Sequence, residues 1–302
     1  MAARTKKLIA VALLLVATGG LKASGYRAEE VAGNLQVSGK PQRIVSLVPA
    51  LTEMLFAIGA GPQVVAVSSY DDFPAEVKTL PRVGALLDPD LERILALRPD
   101  LVITYGSQTA LEAQFTRASI RTFSYRHGGI ATVIETLRDL GAATGQAAGA
   151  ERTIRDIQGR LDAVRARVKG RPRPKTLLVF DRQPQALQGM YVSGGRGFLN
   201  EMLTIAGADN VFADVPRESV QPSHETLIMR APAVIVEVRA TGLLAAADVP
   251  REQDVWSTLP SIPAVRNRRV HFLNADSLVV PGPRLGLATE AFARAIHPDA
   301  FK

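Results

Sequence analysis

Between Ala147 and Lys169 the apolar residues Ile154, Ile157, Leu161, Val164 and Val168 recur at steps of three and four, and the patterns on either side of this stretch repeat one another. The spacing predicts one continuous amphipathic helix. About 23 residues at 1.5 Å per residue span close to 35 Å. Gly170 just past its end and Pro172 shortly after supply the stop. The pattern lasts only about two heptads, too short for a coiled-coil reading. A chain with such a helix in its middle has to place a folded half at each end.

Both halves read as α/β. From Arg43 apolar runs alternate with helical patterns: strands at Ile44–Leu47, Val64–Val67 and Leu101–Thr104, and a helix from Thr52 to Ile58 stopped at Gly59. The adjacent β-branched pair Val102-Ile103 suits a strand covered on both faces. A second half opens with the strand Thr176–Phe180. Glu53-Met54-Leu55 reaches Gly59-Ala60 at the same distance as Glu201-Met202-Leu203 reaches Gly207-Ala208. Further on, the stretch from Leu91 to Ile103 aligns with His224 to Val236, each with a Glu near a helix start, a Pro after the helix and a strand beyond. The expected architecture is two Rossmann-like α/β lobes, 41–146 and 174–302, joined by one long rigid helix at 147–170. Ligands of open α/β sheets bind outside the carboxyl ends of strands, so the groove between the lobes is the expected site.

At 302 residues and 47% hydrophobic content the chain can build two such cores without staples. It has no cysteine, which excludes disulfides, a thiolate nucleophile and a cysteine-linked lipid anchor. Arg4, Lys6 and Lys7 precede an apolar run from Leu8 to Thr18, and the small residues Ala23-Ser24-Gly25 follow. This is the pattern of a secretory signal peptide over 1–25, with an apolar run too short to cross a bilayer. A soluble, monomeric protein of the periplasm is expected. Losing Arg4, Lys6, Lys7 and Lys22 takes the formal charge from +7 to +3. The remaining basic cluster, Arg165 to Lys175, reads as a solvated helix end, and aromatic content of 5% offers few stacking platforms, so no nucleic-acid partner is expected.

Catalytic chemistry finds little support. Ser223-His224-Glu225 are sequence neighbours and point in different directions, so they make no triad. The four histidines, His127, His224, His271 and His297, lack metal-ligand spacing, and no metal site is expected; His127, beside Gly128-Gly129, is the most site-like. Ser193-Gly194-Gly195-Arg196-Gly197 reads as a glycine turn, or as an anion cradle if its amides are free. Tyr70 and Tyr105 each follow a predicted strand, and a tyrosine offers a broad apolar face with a hydroxyl handle. Asp276, after the strand Val270–Leu273, has the same placement.

Arg43-Ile44-Val45-Ser46-Leu47-Val48-Pro49-Ala50-Leu51-Thr52-Glu53, followed by Val67-Ser68-Ser69-Tyr70-Asp71-Asp72-Phe73-Pro74, resembles the periplasmic vitamin B12-binding proteins, within the siderophore, haem and cobalamin binding class of ABC importers. The resemblance runs over about 41–300, including Pro281-Gly282-Pro283-Arg284 and Ile296-His297-Pro298. It implies limited closure of two lobes on a large, metal-containing cargo (cobalamin, a ferric siderophore or haem) and no cofactor of the protein's own. It also implies a permease dimer, driven by a cytoplasmic ATPase, that is met by a surface glutamate on each lobe; Glu92 and Glu225 fall at those positions. Two charges held apart by a stiff helix would act as a docking gauge. Tyr70, Tyr105 and Asp276 fall where B12 binders contact ligand. Leu86 and Ser219 stand where those proteins carry tryptophans, and Ala85 where haem binders place an iron-ligating tyrosine. Arg196 and Arg284 could meet an anionic cargo such as a siderophore.

Overall fold

The computed structural model describes residues 39–239 and 248–302; the expected signal peptide lies outside them. Two compact units emerge. The N-terminal one comprises 39–127 and Thr132–Ile154, the C-terminal one Gly128–Ala131 and Arg155–Lys302.

In chain order the N-terminal half runs β1 (Ile44–Ser46), α1 (Pro49–Ile58), β2 (Val64–Val67), the short hairpin β3 (Gly84–Ala85) and β4 (Asp88–Pro89), α2 (Leu91–Ala96), β5 (Leu101–Tyr105), α3 (Thr109–Arg117) and β6 (Arg121–Tyr125). Helices α4 (Ile130–Thr144) and α5 (Ala147–Val168) follow. The main sheet has the order β2-β1-β5-β6, parallel throughout. Val45, Leu47, Ala66, Val83, Ile94, Val102 and Phe115 pack as one core cluster beside it. Helix α1 starts three residues before the predicted Thr52 because Pro49, with its φ preset for a helix, occupies the first turn.

The C-terminal half runs β7 (Lys175–Asp181), β8 (Tyr191–Ser193), α6 (Gly197–Ile205), β9 (Asp209–Asn210), β10 (Ser219–Val220), α7 (His224–Arg230), β11 (Val234–Arg239), α8 (Val249–Asp254), α9 (Pro263–Arg266), β12 (Val270–Asn274) and α10 (Leu285–Ile296). Its parallel strands are ordered β9-β7-β11-β12, the same pattern as β2-β1-β5-β6. Strand β9 pairs only with the start of β7, and the antiparallel strand β8 takes over beside its carboxyl end.

The sequence echo is also an echo of backbone geometry. Gly59 and Gly207 both end their helices in the left-handed region, at φ 94° and 81°. In both, the next amide reaches back across the last turn, Ala60 N to Leu55 O at 2.8 Å and Ala208 N to Leu203 O at 3.0 Å. The second echo behaves alike. Arg98 and Ala231, each before a proline, leave α2 and α7 at φ 46° and 48°. Two non-glycine residues at positive φ in aligned positions mark a repeated helix-to-strand turn, not a chance resemblance.

Helix α5 carries the predicted stripe. Ile154, Ile157, Leu161, Val164 and Val168 are all buried, with Ala150 extending the row. The division between the units falls within this helix, after Ile154. Gly128–Ala131 groups with the C-terminal unit, where the Ile130 amide donates to the Glu201 carboxylate at 2.8 Å. The basic residues around the helix end are largely occupied locally. Arg160 and Arg165 pair with Asp156 and Asp162, and Arg167 donates to Ala300 O and lies over the Phe301 ring.

Candidate functional site

Tyr70, Tyr105 and Tyr125 lie at or just past the carboxyl ends of β2, β5 and β6. Tyr70 sits in a turn that is fixed from beneath. Ser68 donates to the Asp71 carboxylate from its amide (2.9 Å) and its hydroxyl (2.6 Å), and Arg82 donates to the carbonyls of Ser68 and Asp71 at 2.9 and 2.6 Å. Asp71 is buried, and burial pushes its carboxyl up to about 6 against the pull of those hydrogen bonds. The turn therefore presents Tyr70 from a frame with little freedom.

Tyr105 is the last residue of β5 and is itself buried, rather than following the strand as an open platform. Its ring meets Tyr125, the last residue of β6, edge to face at 5.5 Å. The Tyr125 hydroxyl lies 3.3 Å from His127 Nδ1. Gln108 ties this cluster to the β3–β4 hairpin: it accepts from the Tyr105 amide at 2.9 Å and donates to Leu86 O at 2.7 Å. The hairpin tip carries Leu86 and the well-exposed Leu87. Sequence reasoning missed Tyr125, Gln108 and Leu87. The signal for Tyr125 was available, since it closes a strand two residues before His127.

His127 has a testable consequence. Burial lowers its imidazole from the ordinary 6.5 to about 4. Between those values the unfolded chain binds more protons than the folded one, so stability present at pH 7 is lost as pH falls through the window. Discounting for partial exposure, the loss is expected to be about 2 kcal/mol. Asp71, with a raised pKa, contributes an opposite slope, so the parent must be compared with His127→Gln. Urea titrations at pH 7 and 5 followed by circular dichroism should show the pH-dependent difference between the two. Equal slopes would exclude a buried, neutral His127.

The same edge of the C-terminal unit holds a buried network of charges. Arg182 and Glu237 are fully buried and paired at 2.9 Å. Arg182 also meets Glu252 at 2.9 Å, and Arg239, the last residue of β11, meets Glu237 at 2.6 Å. Trp256, the sole tryptophan, is buried and donates its indole N–H to Glu237 at 2.9 Å. Asp181 completes the group at the end of β7; burial lifts its carboxyl to about 6, with Arg239 opposing. None of these carboxylates or guanidiniums stood out in the sequence, because they enter from β7, β11 and α8, remote in the chain.

The predicted residues of this unit fall at its loop ends. Arg196 is exposed immediately before α6, Arg284 is half-buried immediately before α10, and Asp276 lies in the turn after β12. The glycine turn before α6 is not an anion cradle. The amides of Gly194, Gly195 and Arg196 donate to Glu218 O, Val215 O and Arg217 O. A side chain on Gly195 would lie 2.1 Å from Ala213 O, so the glycine serves close backbone approach. His224 and His297 contact the carbonyls of Leu187 and Gly207 at 2.9 and 3.0 Å.

Glu92 and Glu225 occupy the same position on matching helices, the second residue of α2 and of α7. Asp90 and Ser223 cap those helices, accepting from Arg93 N and Thr226 N. Both glutamates are exposed, and among the described residues neither carboxylate is paired.

Residues 44–277 match the family model described as periplasmic binding protein. The chain belongs to the periplasmic binding protein family. The vitamin B12-binding protein of Salmonella typhimurium is 30% identical to this binding protein over 256 residues, 84% of the chain and 90% of that protein. The uncharacterized ABC transporter substrate-binding lipoprotein YvrC of Bacillus subtilis is 30% identical over 275 residues, covering 89% and 84%. Among solved structures, the periplasmic heme-binding protein RhuT of Roseiflexus, in its apo form, superposes with a TM-score of 0.71 at 26% identity, covering 87% of this binding protein and all of that chain.

Proposed function

We propose that this periplasmic binding protein captures a corrinoid outside the cytoplasm, as a monomer, and delivers it to the permease dimer of an ABC importer, without catalysis of its own. Binding proteins of this class deliver ligand to an ABC permease. The observation that carries the corrinoid reading is the run of vitamin B12-binding relatives over more than four-fifths of the chain. Each unit offers its own contacts: Tyr70 an apolar face, and Arg196, Arg284 and Asp276 polar ones, while Tyr105, buried against Tyr125, packs the strand ends of the N-terminal unit. Glu92 and Glu225 are the docking residues for the permease.

A haem or ferric-siderophore cargo is the second reading. It draws on the likeness to a heme-binding structure and on the cationic side chains of Arg196 and Arg284. Calorimetric titration of the mature chain with cyanocobalamin, hemin and ferric siderophores separates the two. One-to-one binding of cyanocobalamin at about micromolar concentration or below, with the cargo recovered unchanged, is the expected result. If cyanocobalamin fails to bind while hemin or a siderophore binds tightly, the corrinoid reading is wrong.

A further inference from the structure

Large apolar side chains on a protein surface cluster where a partner covers them. Among the described residues six such side chains stand out as exposed: Phe73, Leu87, Leu95, Ile228, Met229 and Leu287. Three of the six lie on the two short helices that carry Glu92 and Glu225. Leu95 is 39% exposed, Ile228 41% and Met229 78%.

Their register is the same in both units. In α2 the second residue is Glu92, the fourth, Ile94, is buried, and the fifth, Leu95, is exposed. In α7 those positions hold Glu225, buried Leu227 and exposed Ile228, and Met229 follows. Residues three and four apart on a helix are surface neighbours, about 5–6 Å between Cβ atoms. Each free carboxylate thus stands beside an apolar side chain on one solvent-facing stripe.

We infer that Leu95, Ile228 and Met229 form part of the permease-docking surface, so that the partner meets each unit with a cation flanked by apolar side chains. The inference rests on the docking role proposed above for the two glutamates. Charge selects this occupant. A second copy of the chain using the same face would bring glutamate against glutamate, and an anionic lipid surface would meet unpaired carboxylates. A guanidinium beside apolar groups satisfies both halves of the patch. The repetition of the patch fits a partner that offers a similar surface twice, as the two halves of a permease dimer would. The two patches are unequal: Arg93 adjoins Glu92 where Thr226 adjoins Glu225, and α7 carries two exposed apolar side chains to one on α2. More of the apolar contribution belongs to Ile228 and Met229.

The test measures binding of the full mature chain to the permease–ATPase complex held in nanodiscs, at low and at high salt. The variant Leu95→Ser with Ile228→Ser and Met229→Ser is expected to bind about tenfold more weakly at both salt concentrations, since apolar burial is not screened. Glu92→Gln with Glu225→Gln is expected to lose affinity chiefly at low salt. Titration with cyanocobalamin and hemin should be unchanged for either variant. If the serine variant binds the complex like the parent while the glutamine variant is impaired, docking is purely ionic and the inference fails, with the glutamate role intact. If both bind like the parent, that role fails as well. Loss of binding to empty nanodiscs, or of self-association in sedimentation, would assign the apolar stripe to lipid or to a second copy and overturn the inference.

Discussion

Replacing Glu237 with leucine is expected to destabilise the C-terminal unit by about 3–5 kcal/mol, and replacing Arg182 with methionine by a similar amount. Both side chains are fully buried, and their 2.9 Å pair is joined by Arg239 and Glu252. Removing Glu237 leaves two guanidiniums to share Glu252 and Asp181, and it strips the acceptor from the Trp256 indole. Removing Arg182 strands Glu237 and Glu252 with Arg239 alone. The double substitution removes one charge of each sign. Arg239 then keeps Glu252 at 3.8 Å and Asp181 at 4.0 Å, and the groups left without their partner are uncharged: the Trp256 N–H and the carbonyls of Gln183, Ala186 and Glu252 that Arg182 served. The double variant should therefore be more stable than either single one. Urea unfolding read by Trp256 emission reports this unit directly, since the only tryptophan lies in it. Single variants within about 1 kcal/mol of the parent would mean that water or rearranged partners satisfy the charges, and the buried network would carry no weight.

That network explains why the sequence was a better guide to the fold than to the site. The α/β alternation, the stripe of α5 and the paired glycine stops are local patterns, and local patterns survive translation into backbone geometry. Gly59 and Gly207, or Arg98 and Ala231, each need only their own few neighbours to adopt positive φ. A site is built from strand ends that meet only after folding. Tyr105 was legible as a strand-end tyrosine, yet its burial against Tyr125 depends on the pairing of β5 with β6. Arg182, Glu237 and Glu252 are far apart in the chain, and a lone charge in an apolar run carries no sign of its partner. The Ser193–Gly197 turn shows the reverse problem. Its glycines favour a simple turn but also fit a ligand cradle, and the Val215, Arg217 and Glu218 carbonyls, which take its amides, decide for the turn.

Reversing charge at both proposed docking positions, Glu92→Arg with Glu225→Arg, is expected to lower cargo uptake through the importer by about 100-fold while ligand affinity stays within about twofold. A single exposed ion pair contributes little, on the order of 0–1 kcal/mol. Reversal does more than delete it, because like charges brought together at an interface cost several kcal/mol and slow the encounter itself. Two modest penalties acting on one docking event multiply, so each single reversal should give a partial defect. Both side chains are exposed and unpaired among the described residues, so neither substitution removes a packing contact. Uptake of whichever cargo binds in titration, measured beside that titration, separates the roles. Parallel loss of ligand affinity would move Glu92 and Glu225 into the binding site. Unchanged uptake would leave them as ordinary helix-start glutamates, favoured by the backbone dipole of α2 and α7 and by nothing outside the chain.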